Sequence, residues 1–128
     1  MIILISCLWL ISAISKTISD TLAFRFKKSI FKNLNEDWWN PSKSWRNMYK
    51  NGKRSDGPKY FGSTTIFKFT TDAWNMFESI STATLSICIV MIISNGFKLS
   101  GFVSVLLFLV IQLVFTFSNN ALSKYLSK

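Results

Sequence analysis

The sequence predicts an all-α membrane protein, with three transmembrane helices and one basic cytoplasmic loop that carries a short interfacial helix. Three observations lead there. The 128 residues are 49% apolar, with a mean hydropathy of +0.30, more than a small domain tolerates when water covers its whole exterior. The apolar residues fall into three blocks rather than alternating with polar ones. The charge is lopsided, with 15 Lys+Arg against 6 Asp+Glu and a net charge of +9.

Composition also excludes function classes. Aromatic residues make up 16% of the chain, far from the profile of a disordered tail. The absence of His removes the commonest general base, the commonest metal ligand and every Ser-His-Asp or Cys-His device. Cys7 and Cys88 are too few for a zinc knuckle or a disulfide framework, and both sit inside apolar blocks as small packing residues. The expected cofactor and metal content is none, and no catalytic residue is assigned.

The first apolar block, residues 1–15, reads MIILISCLWLISAIS and carries no charged side chain. As a helix it rises only about 22 Å, short of a ~30 Å hydrocarbon core. No Gly or Pro occurs from Met1 through Asn40, so the helix continues through TISDTLAFRF and the span is placed at about residues 1–22. Lys16 extends its ammonium toward the headgroups while its stem stays in lipid. The alternative is a cleaved signal peptide, with Ala13 and Ser15 as its small residues. No Lys or Arg precedes the apolar run, however, and a signal peptide wants a basic leading region.

Residues 79–97 form an uncharged run of 19, and residues 99–120 form the third block, with Gln112 inside it. A spanning helix needs about 20 mostly apolar residues, so spans are placed at about 74–94 and 99–118. Asn95-Gly96 and Ser100-Gly101 mark the turn of a transmembrane hairpin.

Charge then sets the orientation. Twelve of the 15 basic residues lie between Lys16 and Asp72, Lys98 stands alone between the second and third spans, and Lys124 and Lys128 follow the third. Three spans put 14 of these cations on one side and one on the other. The positive-inside rule makes that side the cytoplasm. The expectation is an inner-membrane protein with its N-terminus outside and its C-terminus inside.

The basic loop covers about residues 23–62. Asn40 followed by Pro41 is an N-cap with Pro at the first helical position, and Asn51-Gly52 is the expected helix stop. Trp45, Met48 and Tyr49 share one face, while Lys43, Arg46 and Lys50 lie elsewhere, the pattern of a helix resting in the headgroup layer. Trp38 and Trp39 join Trp45, Lys43, Arg46 and Lys50 as candidate membrane-surface anchors. The expected partner is a bilayer with anionic headgroups, with a membrane protein or a second copy as a further partner. No nucleic acid is expected, because basic and aromatic residues interleave without an RNA-binding motif. The bland alternative is a loop that is basic only to fix topology.

From Ser63 the pattern turns helical, with Ile66, Phe69, Ala73, Phe77 and Ile80 as an apolar stripe. Residues 63–94 are expected to form one helix of about 48 Å; TTIFKF alternates like a strand, but a lone strand leaves its backbone unpaired. Asp72, Asn75, Ser79, Thr82 and Ser86 form a polar stripe expected to face Ser12, Ser15, Ser19 and Asp20 of the first helix. A carboxylate near the membrane is costly to desolvate and faces a partner or water. Asp20, Arg25, Asp72 and Asn75 are therefore the candidate polar intramembrane site, for an ion or a lipid headgroup. The alternative is that these groups join helices through hydrogen bonds worth about 0.6–2 kcal/mol each.

WWNPSKSWRNMYKNG, then GPKYFGSTTIF, then TDAWNMF, within residues 15–80, resembles a family of small integral membrane proteins of Bacteroidetes-type bacteria and their phages. The resemblance implies a small multi-helix membrane protein and no known activity. Many members carry His after the TD.W core, where this chain has Asn75, so no functional residue is carried over. The function expected is that of a non-enzymatic integral membrane protein that binds or modulates another membrane component. The alternatives are a phage holin-like or superinfection-exclusion protein and a small lipid-modifying enzyme using Asp20 or Asp72.

Overall fold

The computed structural model describes the backbone of residues 2–126 and the side chains of residues 3–113. Met1, the Lys124 side chain and Lys128, which figure in the first span and the charge count, lie outside the described residues. Among the described residues five α-helices follow in order: α1 (Ile2–Arg25), α2 (Glu36–Trp39), α3 (Pro41–Ser44), α4 (Ala73–Phe97) and α5 (Gly101–Leu126), with short 3-10 turns between α1 and α4. The same residues form no strand, only an isolated antiparallel bridge between Tyr49 and Pro58.

Two helical segments, Ile3–Lys28 and Ala73–Phe97, are long and apolar enough to cross a membrane. The part of α5 with described side chains, Gly101–Leu113, is apolar but shorter than a span.

The chain divides into two units. One comprises Leu10–Thr82, the other Met1–Trp9 with Ala83–Lys128. In the first unit the later turns of α1 run antiparallel to the first turns of α4, since Ser19 meets Glu78 while the earlier Ser12 meets the later Ser81. Its apolar core is Leu22, Phe26 and Ala73, flanked by Ile18, Phe31, Trp38, Trp39, Trp74 and Phe77. In the second unit the Cys88 thiol donates to the Ile5 carbonyl at 3.6 Å. The α4–α5 connection closes with Leu99 N donating to the Ser94 carbonyl at 3.0 Å, and the Ser94 and Ser104 hydroxyls meet at 2.6 Å.

Three local expectations are corrected. The helix expected from Ser63 begins only at Ala73, because residues 60–71 close into turns and Asp72 caps the new helix with its own carboxylate. The helix expected to run from Pro41 to Asn51 is α-helical only to Ser44, then 3-10 to Met48. Tyr49 is extended there because the Met48 carbonyl accepts from Lys59 N and Ser63 Oγ, bonds that pull the chain out of the helix. Asn40 does cap this segment, its Oδ1 accepting from Ser42 N at 3.1 Å. Finally, Asn95 and Gly96 stay within α4, and the hairpin turns at Lys98. Lys98 adopts φ +49, the left-handed conformation that ends many helices.

Candidate functional site: a polar seam and a folded basic loop

On α1 and α4 small hydroxyl residues take many of the buried positions, beside the apolar Leu22, Ala73, Cys88 and Val90. On α1 the buried residues include Ser12, Ser15 and Ser19, while Ile3, Leu4, Trp9, Leu10, Ile11 and Ile14 are exposed. On α4 the buried residues include Asn75, Ser81 and Ser86, while Ile80, Leu85, Ile87, Ile89 and Ile92 are exposed. Water drives large aliphatic groups inward and leaves Ser outside. Hydrocarbon solvent removes that drive, and small hydroxyl residues then make the helix–helix contact.

In the unit Leu10–Thr82 the seam has a definite chemistry. Ser12 Oγ donates to the Ser81 carbonyl at 2.9 Å and lies 3.2 Å from Ser81 Oγ. Farther along α1, Ser19 Oγ is 2.8 Å from Glu78 Oε2. Lys16 Nζ donates to both Glu78 oxygens, at 3.1 and 3.0 Å, and stands 3.2 Å from Asp20 Oδ1. One ammonium thus sits between two carboxylates, each of the three side chains retaining some exposure.

The four residues expected to make a single polar site are not all brought together. Asp72 and Asn75 are. Asp72, 1% exposed, accepts from Asn75 N and Asn75 Nδ2, both at 2.7 Å, and from Thr71 Oγ1 at 3.3 Å. This is an N-cap that satisfies its helix end and its own carboxylate at once. Asp20 instead pairs with Lys16 on its own helix. Arg25 is exposed in the last turn of α1, where a cation complements the helix dipole. Among the described residues no hydrogen bond or ion pair joins Asp20 or Arg25 to Asp72. Glu78 and Ser81 of α4 meet α1 here, Ser86 of the expected stripe is buried, and Ser79 of that stripe is exposed.

The surface candidates divide likewise. Trp38 and Trp39 are half-buried against the core; Trp39 stacks on Phe31 with centroids 5.3 Å apart and tilts against Phe77 at 6.1 Å. Lys43 pairs with Glu36. Trp45 meets Tyr49 edge-on at 6.0 Å, and the guanidinium groups of Arg46 and Arg54 lie over the Trp45 ring at 5.9 and 5.4 Å. Lys50 is exposed, and its N–H donates to the Gly57 carbonyl at 3.0 Å, tying the ends of a basic loop. Inside that loop Asn51 Nδ2 and Ser55 Oγ donate to Asp56, which holds its carboxyl below the usual carboxylate range.

Two residues that sequence reasoning passed over hold this segment together. Asn47 Nδ2 donates to the carbonyls of Asp37 at 2.6 Å and Thr71 at 2.9 Å, joining α2 to the residue before the α4 cap. Ser63, fully buried, donates to the Met48 carbonyl at 2.8 Å. These bonds connect residues far apart in the chain, so no local sequence signal marks them.

Among the described residues no group of three or more His, Cys, Asp or Glu is placed to hold a metal ion. Comparison with protein-family models, curated proteins and solved structures finds no match.

Proposed function

We propose that this chain is an integral protein of the cytoplasmic membrane, crossing it three times with the N-terminus outside. In this reading the folded basic segment between α1 and α4 rests on the cytoplasmic leaflet. The protein works without catalysis, by binding or modulating another membrane component. The burial of Ser12, Ser15, Ser19, Ser81 and Ser86 while most Ile and Leu side chains of α1 and α4 are exposed is the observation that carries the reading. Every exposed aliphatic residue on those helices is unfavourable in water and at rest in acyl chains.

The Lys16–Glu78–Ser19 contact supports the same reading. A charged pair joining two helices is the usual arrangement for ionisable residues in spans. The cations Arg46, Lys50, Lys53, Arg54 and Lys59 gather on one hydrogen-bonded loop that suits an anionic leaflet. Each cation near such a surface contributes about 1 kcal/mol. The third span, the orientation and the family resemblance belong to this proposal.

Reporter fusions test it. A fluorescent protein fused after Lys128 is expected to fluoresce, and alkaline phosphatase at the same point is expected to stay inactive. Active phosphatase without fluorescence would reverse the orientation. Release of the whole protein from membranes by alkaline carbonate would remove the integral reading.

A further inference from the structure

Residues 60–70 close on themselves. Phe67 N and Thr65 N donate to the Gly62 carbonyl at 2.9 and 3.0 Å, and Ser63 N donates to the Tyr60 carbonyl at 3.1 Å. The Tyr60 and Thr70 hydroxyls meet at the base of the turn. Gly62 has φ +78, and a Cβ there would lie 2.8 Å from Phe67 Cδ2, so only Gly permits the ring to fold over it. A turn so well closed is expected to display polar residues. This one displays Phe61 at 86% exposure, Ile66 at 71%, Phe67 at 42% and Phe69 at 40%.

We propose that this turn is a membrane wedge, inserting Phe61, Ile66, Phe67 and Phe69 into the headgroup–acyl boundary of an anionic leaflet beside the point where α4 enters. The inference rests on the reading of α4 as a span. Four observations choose lipid over a protein partner. Thr70 is three residues from Ala73, a reach of at most about 11 Å, and the Tyr60–Thr70 contact pins the far end of the turn to that point. Lys68 Nζ lies 5.4 Å from the ring centroid of Trp74 in the first turn of α4. A cation beside a Trp at a span's end marks headgroup depth. The turn also pairs several of its backbone groups internally, which lowers the cost of leaving water. Lys59 precedes the apolar residues and Lys68 stands between Phe67 and Phe69, the mixture of cation and apolar side chains found in segments that lie about 5–10 Å into the headgroup region.

The test uses the full-length protein, with Cys7 and Cys88 replaced by Ser, in vesicles of phosphatidylcholine and phosphatidylglycerol. Single cysteines at Phe61→Cys, Ile66→Cys, Ile92→Cys and Lys43→Cys carry an environment-sensitive fluorophore. Quenching by headgroup-labelled and mid-chain spin-labelled lipids is compared with quenching by aqueous iodide. The wedge predicts that positions 61 and 66 are quenched most by the shallow lipid probe, position 92 by the mid-chain probe and position 43 by iodide. Iodide quenching at 61 and 66 with lipid quenching at 92 would overturn the wedge while the span reading stands. Shielding of 61 and 66 from both probes would mean that protein, such as a second copy, covers the turn, and would overturn it too. Absence of lipid quenching at 92 would remove the span reading itself.

Discussion

Ser19 Oγ on α1 lies 2.8 Å from Glu78 Oε2 on α4, the same oxygen that accepts from Lys16 Nζ at 3.0 Å. One carboxylate therefore receives a hydroxyl and an ammonium from two successive turns of the facing helix, and the helices are held in one register. Ser12 and Ser81 repeat the arrangement farther along with neutral groups. The seam is polar where a soluble core is apolar, and that difference underlies most of the expectations below.

The coupling between Lys16 and Glu78 is measurable as a double-mutant cycle. Lys16→Met, Glu78→Gln and the pair are compared by reversible unfolding in mixed micelles. Half-exposed partners limit the interaction to about 0.5–1 kcal/mol, so the double variant is expected to lose less than the two single losses combined. Additivity to within about 0.3 kcal/mol would mean that the pair is uncoupled.

Loss of the α4 cap is expected to cost more. Asp72→Ala removes an acceptor from two donors of Asn75. N-cap removal costs about 0.5–2 kcal/mol, and Asp72→Asn, which keeps a side-chain oxygen, is expected to recover much of it. Hydrogen exchange at the Asn75 and Met76 amides should quicken in the alanine variant. Unchanged exchange there would sink the cap.

How far these features are legible in the sequence follows from the kind of interaction involved. The long helices follow from uninterrupted apolar runs, and the cap at Asn40 from the Asn-Pro pair. The start of α4 escapes a local reading because the apolar stripe from Ile66 has helical spacing, whereas the backbone there is committed to turns around Gly62 and Ser63. The Ser63 hydroxyl reaches back to the Met48 carbonyl, 15 residues away, and no local pattern records that bond. Asp72 reads as costly to bury, and it is buried, but its partners lie on its own element rather than on α1. Nothing local in the Trp38–Trp39 pair records that Trp39 packs against Phe31 and Phe77.

Acid is expected to loosen the basic loop. Hydrogen bonds from Asn51 and Ser55 lower the Asp56 pKa in the folded loop. A depressed carboxyl stabilises above its unfolded value of about 3.9, and that contribution is lost as pH falls through the folded value. The Lys50 and Gly57 amides, which donate to the Gly57 and Arg54 carbonyls, report on the loop. Both should stay protected from exchange between about pH 7 and 5 and lose protection once pH drops below the ordinary carboxyl range near about 3.9. In Asp56→Asn the acid dependence should disappear; its persistence would assign it elsewhere.

The seam can be captured covalently. In the background Cys7→Ser and Cys88→Ser, the pair Ser12→Cys with Ser81→Cys should oxidise readily within one chain, because their hydroxyls are 3.2 Å apart. Ser12→Cys with the exposed Ser79→Cys should not. The reverse preference would place a different face of α4 in the seam.

Spin-label accessibility in bilayers tests the central claim most directly. Labels are placed singly at Ile14 and Ile92, both 58% exposed, and at the buried Ser12 and Ser81. Power saturation is measured with oxygen, which concentrates in acyl chains, and with a water-soluble nickel chelate. The arrangement of buried Ser and exposed Ile predicts high oxygen and low nickel accessibility at positions 14 and 92, and low accessibility to both at 12 and 81. Nickel accessibility exceeding that of oxygen at 14 and 92 would contradict it, since the aliphatic faces of α1 and α4 would then stand in water.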